Sequence, residues 1–462
     1  MDPACPFSLQ DELVALLPPG RVLTDTGDRK LLAVDASKLD GDCLAVVRPK
    51  TESEVISTMK FAAARGISVV PRGAGTSPTG SALAHGSQIV LDLSAMNRII
   101  DLAPRDMVAV VEPGVMCGDL QSAAEAVGMF YPPDPASAKT STLGGNVATC
   151  AGGLRAVKYG VTRDYVLGLR VVLADGRAIE VGGRPLKSVV GYDLARLFVG
   201  SEGTLGVLTQ ITLKLIPKPA RTLTLFATFR DFEGGLLGAD AILGAGILPR
   251  ALEYMDADVM KVASAVSGVS FDPEVRSALL IEVDGSEASC REDAGTISQA
   301  LATAGAATVE QGDDTEARDR LWLARRSIST GVLQVYGAKR SEDLGVPRGR
   351  LAEAVAAIKS AAQSEGAICL AYGHAGDANL HYNFPFNPSV AGAKSAVDRA
   401  VQRATAIALQ LGGTISGEHG IGLKRREAMR AQVGAYELDL MRKIKTVFDP
   451  QGILNPGKML PE

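Results

Sequence analysis

The chain has 462 residues, of which 46% are hydrophobic, and its formal net charge is −4. This length predicts two or three domains, and the interspersed acidic and basic residues exclude a nucleic-acid-binding protein that works through a basic patch. Six cysteines without a CxxC pair indicate neither an iron–sulfur cluster nor a disulfide framework, and no apolar run has the length of a membrane span or of a secretory signal, so we expect a soluble, cytoplasmic protein.

Strands and helices alternate in the predicted first domain. A helix that begins after Thr51 and ends at Gly66 is predicted between two strands, and Glu54 gives Thr51 the spacing of a capping box. The predicted strands are Leu44–Arg48, Ile67–Val70, Gln88–Leu93 and Met107–Glu112, followed by a helix at about Gly118–Val127. A hairpin of Val166–Leu173 and Ala178–Val181 is predicted around Ala174-Asp175-Gly176.

A change of domain is predicted at Pro217 and Pro219. Residues 1–218 would form the first α+β domain, residues 219–417 a second α+β domain, and residues 418–462 a helical C-terminal segment that returns to the first. The strands predicted in the second domain are Thr222–Thr228, Ala278–Val283, Ile368–Tyr372 and Asn379–Phe384.

A glycine-rich loop, Pro71–Gly80, follows the second predicted strand. Glycines let a backbone approach an anion closely, and successive N–H groups can hold its charge. A Walker A loop requires Lys-Ser/Thr after the last glycine, where this chain has Ser81-Ala82, and the third glycine comes too late for a Rossmann fingerprint. On this loop alone, an anion site and an ordinary tight turn remain alternatives.

Two more blocks of small residues follow, Ser141–Gly153 and Gly200–Val207. A small substrate alone does not require so much glycine-lined surface. Three such blocks in one domain therefore indicate a long, flat cofactor that passes along the backbone.

Three of the four histidines lie in two short motifs, Gly373–His381 and Ser416–Gly420, whereas His85 lies far upstream. Imidazole and carboxylate groups are ligands of divalent metals, and a further imidazole suits proton transfer. The alternative is that these are buried, hydrogen-bonded core histidines. The candidate ligands are His374, His381 and Glu418, which leaves His419 as the candidate base.

Taken together, these motifs resemble the flavoproteins with the PCMH-type FAD-binding fold of vanillyl-alcohol oxidase. Within that group they are most similar to the FAD-linked D-2-hydroxyacid dehydrogenases, which include D-lactate dehydrogenase, D-2-hydroxyglutarate dehydrogenase and the flavin subunit of glycolate oxidase. The resemblance extends from about residue 40 to Lys458. It implies a PCMH-type FAD-binding domain in residues 1–218, a substrate or cap domain with a metal site in residues 219–417, and a C-terminal segment that returns to the FAD domain.

The resemblance also implies which residues bind FAD. Those at the pyrophosphate would be Pro71, Arg72, Gly73, Ala74, Gly75, Thr76, Ser77 and Gly80. Those along the flavin ring and ribityl chain would be Pro133, Gly144, Gly145, Asn146, Gly152, Gly153, Glu202, Gly206 and Val207, with Asn455 and Lys458 approaching from the C-terminal tail. Some relatives carry a histidine in the first loop that bonds to the flavin; this chain has Thr76 there, which predicts non-covalent FAD.

The substrate site is implied in the same way. The family's metal ligands match His374, His381 and Glu418, and its base matches His419. Nitrogen and oxygen ligands do not distinguish zinc, manganese, cobalt and iron. The family's carboxylate-binding arginine, with a hydroxyl four residues later, matches Arg325 and Ser329. A plain salt bridge is the alternative for Arg325, and Arg340-Ser341 provides no clear match for the lysine that binds a second carboxylate in some relatives.

The implied reaction is oxidation of a small D-2-hydroxy acid, such as lactate or glycolate, to the 2-oxo acid. The electron acceptor is unknown, and partner subunits are possible because glycolate oxidase relatives work with them. Two alternatives remain. One is a flavin-using transferase such as the ether-lipid synthase, although its multi-histidine run is missing here; the other is a flavin subunit that relays electrons within a larger complex.

Overall fold

The computed structural model describes residues 8–312 and 315–462, which form two compact units. Of these residues, 8–152, 161–218 and 418–462 form the first unit, and 153–160, 219–312 and 315–417 form the second. Cys43, Cys117, Cys150, Cys290 and Cys369 are free thiols, and Cys5 lies outside the described residues. Within these described ranges, no helix combines the length and apolar character needed to cross a lipid bilayer.

The first unit contains a four-stranded sheet. Its strands lie in the order Val22–Leu23, Ala45–Val47, Ile89–Asp92 and Val69–Arg72, and the last three are parallel to one another. The helix Glu52–Arg65 joins two of these strands; Thr51 accepts the N–H of Glu54 at its start, and Gly66, with a φ of 61°, ends it. Buried aliphatic side chains of this helix and sheet form the core.

The predicted capping box is only half present. Thr51 binds the N–H of Glu54 at 3.3 Å, but the Glu54 carboxylate does not return to Thr51. It accepts instead from the N–H of Lys50 at 2.8 Å and from Arg21 at 2.9 Å. The Glu54 carboxylate therefore pairs with Arg21, which is distant in sequence, and not with the N–H of Thr51 that a capping box would use.

A second, antiparallel sheet completes the first unit. Its strands, in order, are Ile99–Ala103, Val108–Val111, Val207–Lys214, Val166–Val172 and Ala178–Gly182, and the last two form the predicted hairpin. Pro217 lies in a short strand, Ile216–Pro217, paired with Met129–Phe130. The helices of the unit before its last segment are Leu9–Leu16, Thr26–Leu32, Glu52–Arg65, Cys117–Ala126, Leu143–Thr149 and Ala195–Phe198, with short 3-10 turns at Leu93–Ala95 and Thr162–Asp164.

The C-terminal segment is only partly helical. Its helices are Met429–Gln432 and Ala435–Phe448, and irregular backbone precedes and follows them. After the last helix, the N–H of Val69 donates to Ile453 at 2.8 Å and the N–H of Asn455 donates to Val69 at 2.8 Å. The end of the chain thus adds to the free edge of the four-stranded sheet, beside the strand that enters the glycine-rich loop.

The second unit is built on one antiparallel sheet of seven strands. Their order is Thr308–Gly312, Arg221–Phe229, Ser277–Gly285, Ala251–Asp256, Leu370–His374, Asn379–Phe386 and Ala338–Gly345. Its helices are Ala156–Tyr159, Gly234–Gly244, Ala257–Ser267, Glu287–Thr303, Thr315–Tyr336, Leu351–Ser364 and Ala393–Gln410, with a 3-10 turn at Arg348–Arg350. Residues 153–160 belong here because Lys158 and Tyr159 bind the buried Asp284 at 2.6 and 2.8 Å.

The two faces of this sheet differ in chemistry. One face is apolar and packs against the helices Gly234–Gly244, Glu287–Thr303, Leu351–Ser364 and Ala393–Gln410. The other face packs partly against Ala257–Ser267 and Thr315–Tyr336. Because side chains alternate along a strand, the register that sets Glu253 opposite His374 and Tyr372 opposite His381 places these four on this second face.

Candidate active site

A cavity of about 260 Å³ lies in the first unit, where the three glycine-rich blocks meet. The three blocks are those from which a long, flat cofactor is predicted. The predicted cofactor-binding residues in its wall are Pro71, Arg72, Gly73, Ala74, Gly75, Thr76, Ser77, Gly144, Gly145, Asn146, Gly152, Glu202 and Gly206. Glu418 and His419 also line it.

The other predicted cofactor residues lie outside this wall. Gly80, Pro133, Val207, Asn455 and Lys458 belong to the first unit, and Gly153 begins the short segment that belongs to the second. Asn455 is buried and donates from Nδ2 to the carbonyls of Ser81 and Glu202 at 2.8 and 2.7 Å. It therefore links Ser81, which directly follows the first loop, to the third glycine-rich block.

Arg72 shapes the first loop from within. Its guanidinium donates to the carbonyl of Val34 and, at 3.5 Å, to that of Ala74. Gly75, at a φ of +71°, lies so close that a Cβ there would approach the guanidinium to 2.3 Å. Burial lowers the pKa of Arg72, and Asp92 and Asp35 oppose this effect. This arginine thus acts as a support of the loop.

The backbone of this loop offers unused donors. Among the described residues, the N–H groups of Gly73, Ala74, Gly75, Thr76 and Ser77 donate to no protein acceptor. Consecutive free N–H groups at the end of a strand are the feature that binds phosphate groups. The loop therefore fits the pyrophosphate of a dinucleotide.

The second glycine-rich block provides the helix Leu143–Thr149. Thr142 caps it by accepting the N–H of Gly145 at 3.3 Å, and a Cβ at Gly73 would lie 2.3 Å from the Thr142 hydroxyl. The first two blocks are thus in direct contact. Asn146 is buried in the cavity wall, and its Nδ2 has no hydrogen-bond partner within the described chain. A buried donor without a partner is costly, so Asn146 fits an acceptor on a bound cofactor.

Glu202 holds the loop that carries His419. Its buried carboxylate accepts the N–H groups of Ile421 and Gly422 at 2.7 and 2.9 Å. Burial raises the pKa of Glu202, while these two N–H groups, Lys458 and Arg425 lower it. Ile421 and Gly422 follow His419 by two and three residues. The Glu202 carboxylate therefore fixes the backbone just after that histidine.

Lys458 is a buried cation behind this loop. Its side chain is 4% exposed, and burial lowers its pKa to about 8 despite the opposing charges of Asp35 and Glu202. Below that pH the first unit holds a nearly buried positive charge.

Glu418 and His419 present their side chains to the same wall of the first unit. His419 Nε2 lies 3.8 Å from Glu418 Oε1, and the His419 side chain is 28% exposed. The Thr79 hydroxyl donates to the His419 carbonyl at 3.4 Å. His419 is thus held by its backbone, and its side chain is partly exposed.

In the second unit, His374 and His381 stand side by side. Their ring centroids are 5.2 Å apart with an interplanar angle of 78°, and each offers a ring nitrogen within 4.8 Å of the other's. These two nitrogens can approach one cation, because metal–nitrogen bonds are about 2.0–2.1 Å long. Glu418 is joined by one peptide bond to Gly417, the last residue of this unit.

Glu253 is a site residue that the sequence analysis missed. Its fully buried carboxylate lies 2.5 Å from His374 Nδ1 and accepts from Arg325 Nε at 2.8 Å. Burial alone would raise the pKa of Glu253, but His374 and Arg325 outweigh it and lower the pKa to about 2. The available signal in the sequence was a glutamate between the hydrophobic residues Leu252 and Tyr254.

Arg325 is therefore not a free cation. Its Nε and Nη2 both engage Glu253, and its guanidinium stacks 4.8 Å above the ring of Tyr372. Only the edge formed by its two Nη atoms remains for a further carboxylate. Ser329, one helical turn later, is exposed, and Lys339 donates to its hydroxyl at 3.1 Å.

Two more polar residues missed from the sequence lie on the same face as His381. Asp343 stands directly opposite His381 in the sheet, and Asn383 follows His381 by two residues on the same strand. Asn383 is fully buried and accepts the Ser341 hydroxyl at 2.5 Å, while its Nδ2 has no partner within residues 8–312 and 315–462. The site is thus a polar strip across neighbouring strands.

Two protein families match most of the chain. A family of FAD-binding domains matches residues 43–182, and the family described as "FAD linked oxidases, C-terminal domain" matches residues 218–459. The chain belongs to the FAD-linked oxidases. It is therefore an FAD-dependent oxidoreductase, and FAD is its cofactor.

Close relatives cover nearly the whole chain. A glycolate oxidase subunit GlcD of Bacillus subtilis (strain 168) is 38% identical over 90% of this chain and 88% of its own length. D-lactate dehydrogenases of Anaerostipes hadrus and Archaeoglobus fulgidus are 34% and 37% identical over 90% of this chain and 89% and 91% of their lengths.

Solved structures agree on the fold. p-Cresol methylhydroxylase with substrate bound superposes with a TM-score of 0.79 at 18% identity, over 97% of this chain and 96% of that one. An alkyldihydroxyacetonephosphate synthase superposes with a TM-score of 0.77 at 19% identity, over 99% of this chain and 87% of that one. The predicted PCMH-type, α+β fold is confirmed, and at these identities the likeness extends to the fold alone.

Proposed function

We propose that this protein oxidises a small D-2-hydroxy acid, of lactate or glycolate size, to the 2-oxo acid with non-covalently bound FAD. The observation that carries the proposal is the similarity, at 34–38% identity over 90% of the chain, to proteins named for these two acids. The paired histidines of the second unit support it, because they suit a site for an oxygen-rich substrate on a metal.

When bound, FAD supplies the hydride acceptor. The chain's own part is to hold and orient it. The free N–H groups of Gly73–Ser77 would bind the pyrophosphate, the Nδ2 of Asn146 would donate to the cofactor, and Gly144, Gly145, Gly152 and Gly206 would leave room for a flat ring. The residues present fit the cofactor.

The link to FAD is proposed to be non-covalent. Thr76 stands where some relatives have the histidine that bonds to flavin, and the wall of the cavity from Pro71 to Pro78 offers no histidine or cysteine. Acid precipitation of the holoprotein should release all flavin into the supernatant. Flavin that stayed with the precipitate would contradict this proposal. His419, which also lines the cavity, would then be the residue to test as the site of attachment.

A divalent cation, when bound, lowers the pKa of a coordinated hydroxyl and neutralises a carboxylate. We propose that His374 and His381 would hold it through ring nitrogens, with Glu418 as the third ligand. Support comes from the closeness of the two rings and from the contact of Glu253 with Nδ1 of His374, which is the arrangement common among metal-binding histidines. This donor set suits zinc, manganese, cobalt or iron.

His419 is the proposed base. It would take the proton of the substrate hydroxyl on a ring nitrogen as the α-hydrogen leaves as hydride, since imidazole accepts protons near neutral pH. Support comes from its partly open imidazole and from the backbone contacts through Thr79 and Glu202 that hold its loop.

Arg325 and Ser329 are proposed to bind the substrate carboxylate. The free Nη edge of Arg325 has the fork geometry that matches a carboxylate, and Ser329 follows one turn later on the same helix. The contact of Lys339 with Ser329 would have to open for the Ser329 hydroxyl to donate to the substrate.

The reaction also requires an acceptor for the electrons of the reduced flavin. Oxygen, a quinone, a cytochrome and an electron-transfer flavoprotein are the candidates. Partner chains are part of the proposal because several relatives are named as subunits, and co-purification from the native source tests this. Cytoplasmic localisation stays a prediction from sequence.

An anaerobic visible spectrum tests the reaction. The holoprotein is mixed in turn with D-lactate, L-lactate, glycolate and D-2-hydroxyglutarate. Bleaching of the flavin by a D-acid or glycolate, but not by L-lactate, is the expected result. Bleaching by L-lactate alone would contradict the stereochemistry, and a flavin that none of the four bleaches would contradict the substrate class and favour the transferase chemistry of the same fold.

A further inference from the structure

We infer that Glu253 is a positioning residue that holds His374 in the tautomer with its proton on Nδ1 and joins it to Arg325. The inference deepens the proposed function, on which it rests only in taking His374 as a metal ligand.

The contacts of Glu253 use both of its oxygens. Oε1 lies 2.5 Å from His374 Nδ1, and Oε2 accepts from Nε and Nη2 of Arg325 at 2.8 and 2.7 Å. The glutamate side chain is 0% exposed and that of Arg325 is 13% exposed. A carboxylate this deeply buried is retained only when it is paired and hydrogen-bonded.

These partners decide where the proton is. The guanidinium is always charged and only donates, so it keeps Glu253 ionised. An ionised carboxylate only accepts hydrogen bonds, and Nδ1 of His374 must therefore be the donor. The lone pair of the ring then lies on Nε2. Histidines that bind metals commonly donate their other ring N–H to a carboxylate, which orients the ring and makes it a better ligand.

Arg325 connects both histidines to this arrangement. It reaches His374 through Glu253, and it stacks 4.8 Å above Tyr372, whose ring lies 5.5 Å from that of His381. The sheet sets the framework, because Glu253 pairs with His374 and Tyr372 pairs with His381 across adjacent strands. One cation from the helix Thr315–Tyr336 thus supports the two rings together.

The decisive variant is Glu253→Gln, which keeps the size of the side chain. An amide has a single acceptor oxygen, and Arg325, which can only donate, takes it. The amide NH₂ must then face Nδ1 of His374 and donate to it. The variant should therefore move the His374 proton from Nδ1 to Nε2, which a merely structural role would not do.

The first experiment is nitrogen NMR of metal-free, flavin-loaded protein labelled with [15N]histidine. The chain has only four histidines, and His374→Gln assigns the signal. We expect Nδ1-protonated His374 in the wild type and Nε2-protonated His374 in Glu253→Gln. A wild-type ring protonated on Nε2, or a variant whose tautomer is unchanged, would overturn the inference. Neither result depends on metal or hydroxy acid.

The second experiment is a titration of the same proteins with Zn²⁺ against a chromogenic chelator. Glu253→Gln should bind 10- to 100-fold more weakly, the loss typical for such partners of metal-bound histidines. The matched control is Asp256→Asn, which removes another buried carboxylate of the same strand; Asp256 caps the helix Ala257–Ser267 and pairs with Lys359, and it touches neither histidine. The control should bind Zn²⁺ like the wild type.

The outcomes separate the two proposals. Wild type that binds no Zn²⁺ would contradict the metal site of the proposed function, whereas the NMR result still decides the role of Glu253. Equal Zn²⁺ affinity of Glu253→Gln and wild type would overturn the positioning role alone. If Glu253→Gln does not fold, Glu253→Asp is used in its place. The aspartate keeps the charge but is one methylene too short to reach both partners. It should weaken the preference of the His374 proton for Nδ1, and it should also weaken Zn²⁺ binding.

Discussion

The N–H of Gly417 lies 3.1 Å from the carboxylate of Asp343 and 3.2 Å from its carbonyl oxygen. Asp343 is fully buried, and the Ser416 hydroxyl donates to it at 3.2 Å. The peptide that precedes Glu418 is thus fixed by a residue of the edge strand Ala338–Gly345 of the seven-stranded sheet. Gly417 also has no room for a side chain, since a Cβ there would lie 2.3 Å from the amide of Asn379.

Gly417→Ala should therefore destabilise the protein by about 1–3 kcal/mol, the usual cost of an added methyl group in a tightly packed place. Gly295→Ala is the matched control, because Gly295 lies in the helix Glu287–Thr303 with open space around its Cα. That change should be neutral or stabilising by about 0.5–1 kcal/mol. Thermal unfolding measures both, and equal midpoints for the two variants would contradict the packing argument.

Asn146→Ala should weaken FAD binding about 2- to 10-fold, because a hydrogen bond of the size expected here contributes about 0.5–1.5 kcal/mol. The reason is that Asn146 Nδ2 is buried in the cavity wall and finds no partner among the described residues. Fluorescence titration of flavin-free protein with FAD gives the affinity. The control is Asn97→Ala, which changes an exposed residue and should leave the affinity for FAD unchanged. If Asn146→Ala bound FAD as tightly as the wild type, Asn146 would not belong to the cofactor site.

His419→Ala and His381→Ala should separate two roles. Loss of a general base slows reduction of the flavin by about 10²- to 10⁴-fold, so His419→Ala should do this while FAD and metal contents stay normal. His381→Ala should lose bound metal and substrate affinity together. Stopped-flow reduction and metal analysis measure these effects, with the exposed His85→Ala as control. Normal reduction by His419→Ala would make the base assignment wrong.

Stability at alkaline pH should depend on Lys458. Burial lowers its pKa from 10.5 to about 8 in the folded protein. Between these values the unfolded chain holds a proton that the folded chain has lost, so the free energy of unfolding rises with pH in this window. Below pH 8 the buried charge is a constant cost.

Lys458→Met should abolish this rise and stabilise flavin-free protein at neutral pH by an amount on the order of a few kcal/mol. Urea unfolding at several pH values, with the exposed Lys187→Met as control, gives the difference. If the variant kept the wild-type slope, the depressed pKa of Lys458 would be wrong.

Features of the site that depend on neighbouring residues could be predicted from sequence. The strand Val69–Arg72 and its glycine-rich loop have a local pattern, and the structure places them at a cavity. His374 and His381 are separated by a single tight turn between paired strands, so their closeness followed from their spacing. The hydrogen bond by which Thr51 caps the helix Glu52–Arg65 joins residues three apart, so it could also be predicted.

Contacts between distant segments could not be predicted. Glu253 is 121 residues away from His374, and only the register of two strands brings them together. Arg325 was expected to be available to substrate, but its Nε and Nη2 atoms already bind Glu253. Glu54 illustrates the same limit, because Arg21, 33 residues away, diverts its carboxylate from the cap.

The pairing of Leu454 with Val69 has a consequence for biosynthesis. Val69 leaves the ribosome long before Leu454 is translated, so the nascent chain cannot close the sheet edge beside the glycine-rich loop. The second unit is encoded almost entirely between these two residues and can fold while the first still waits for its last segment. The sheet edge beside the glycine-rich loop therefore departs from the usual order, in which the N-terminal domain matures first, because it forms only after the second unit has been translated.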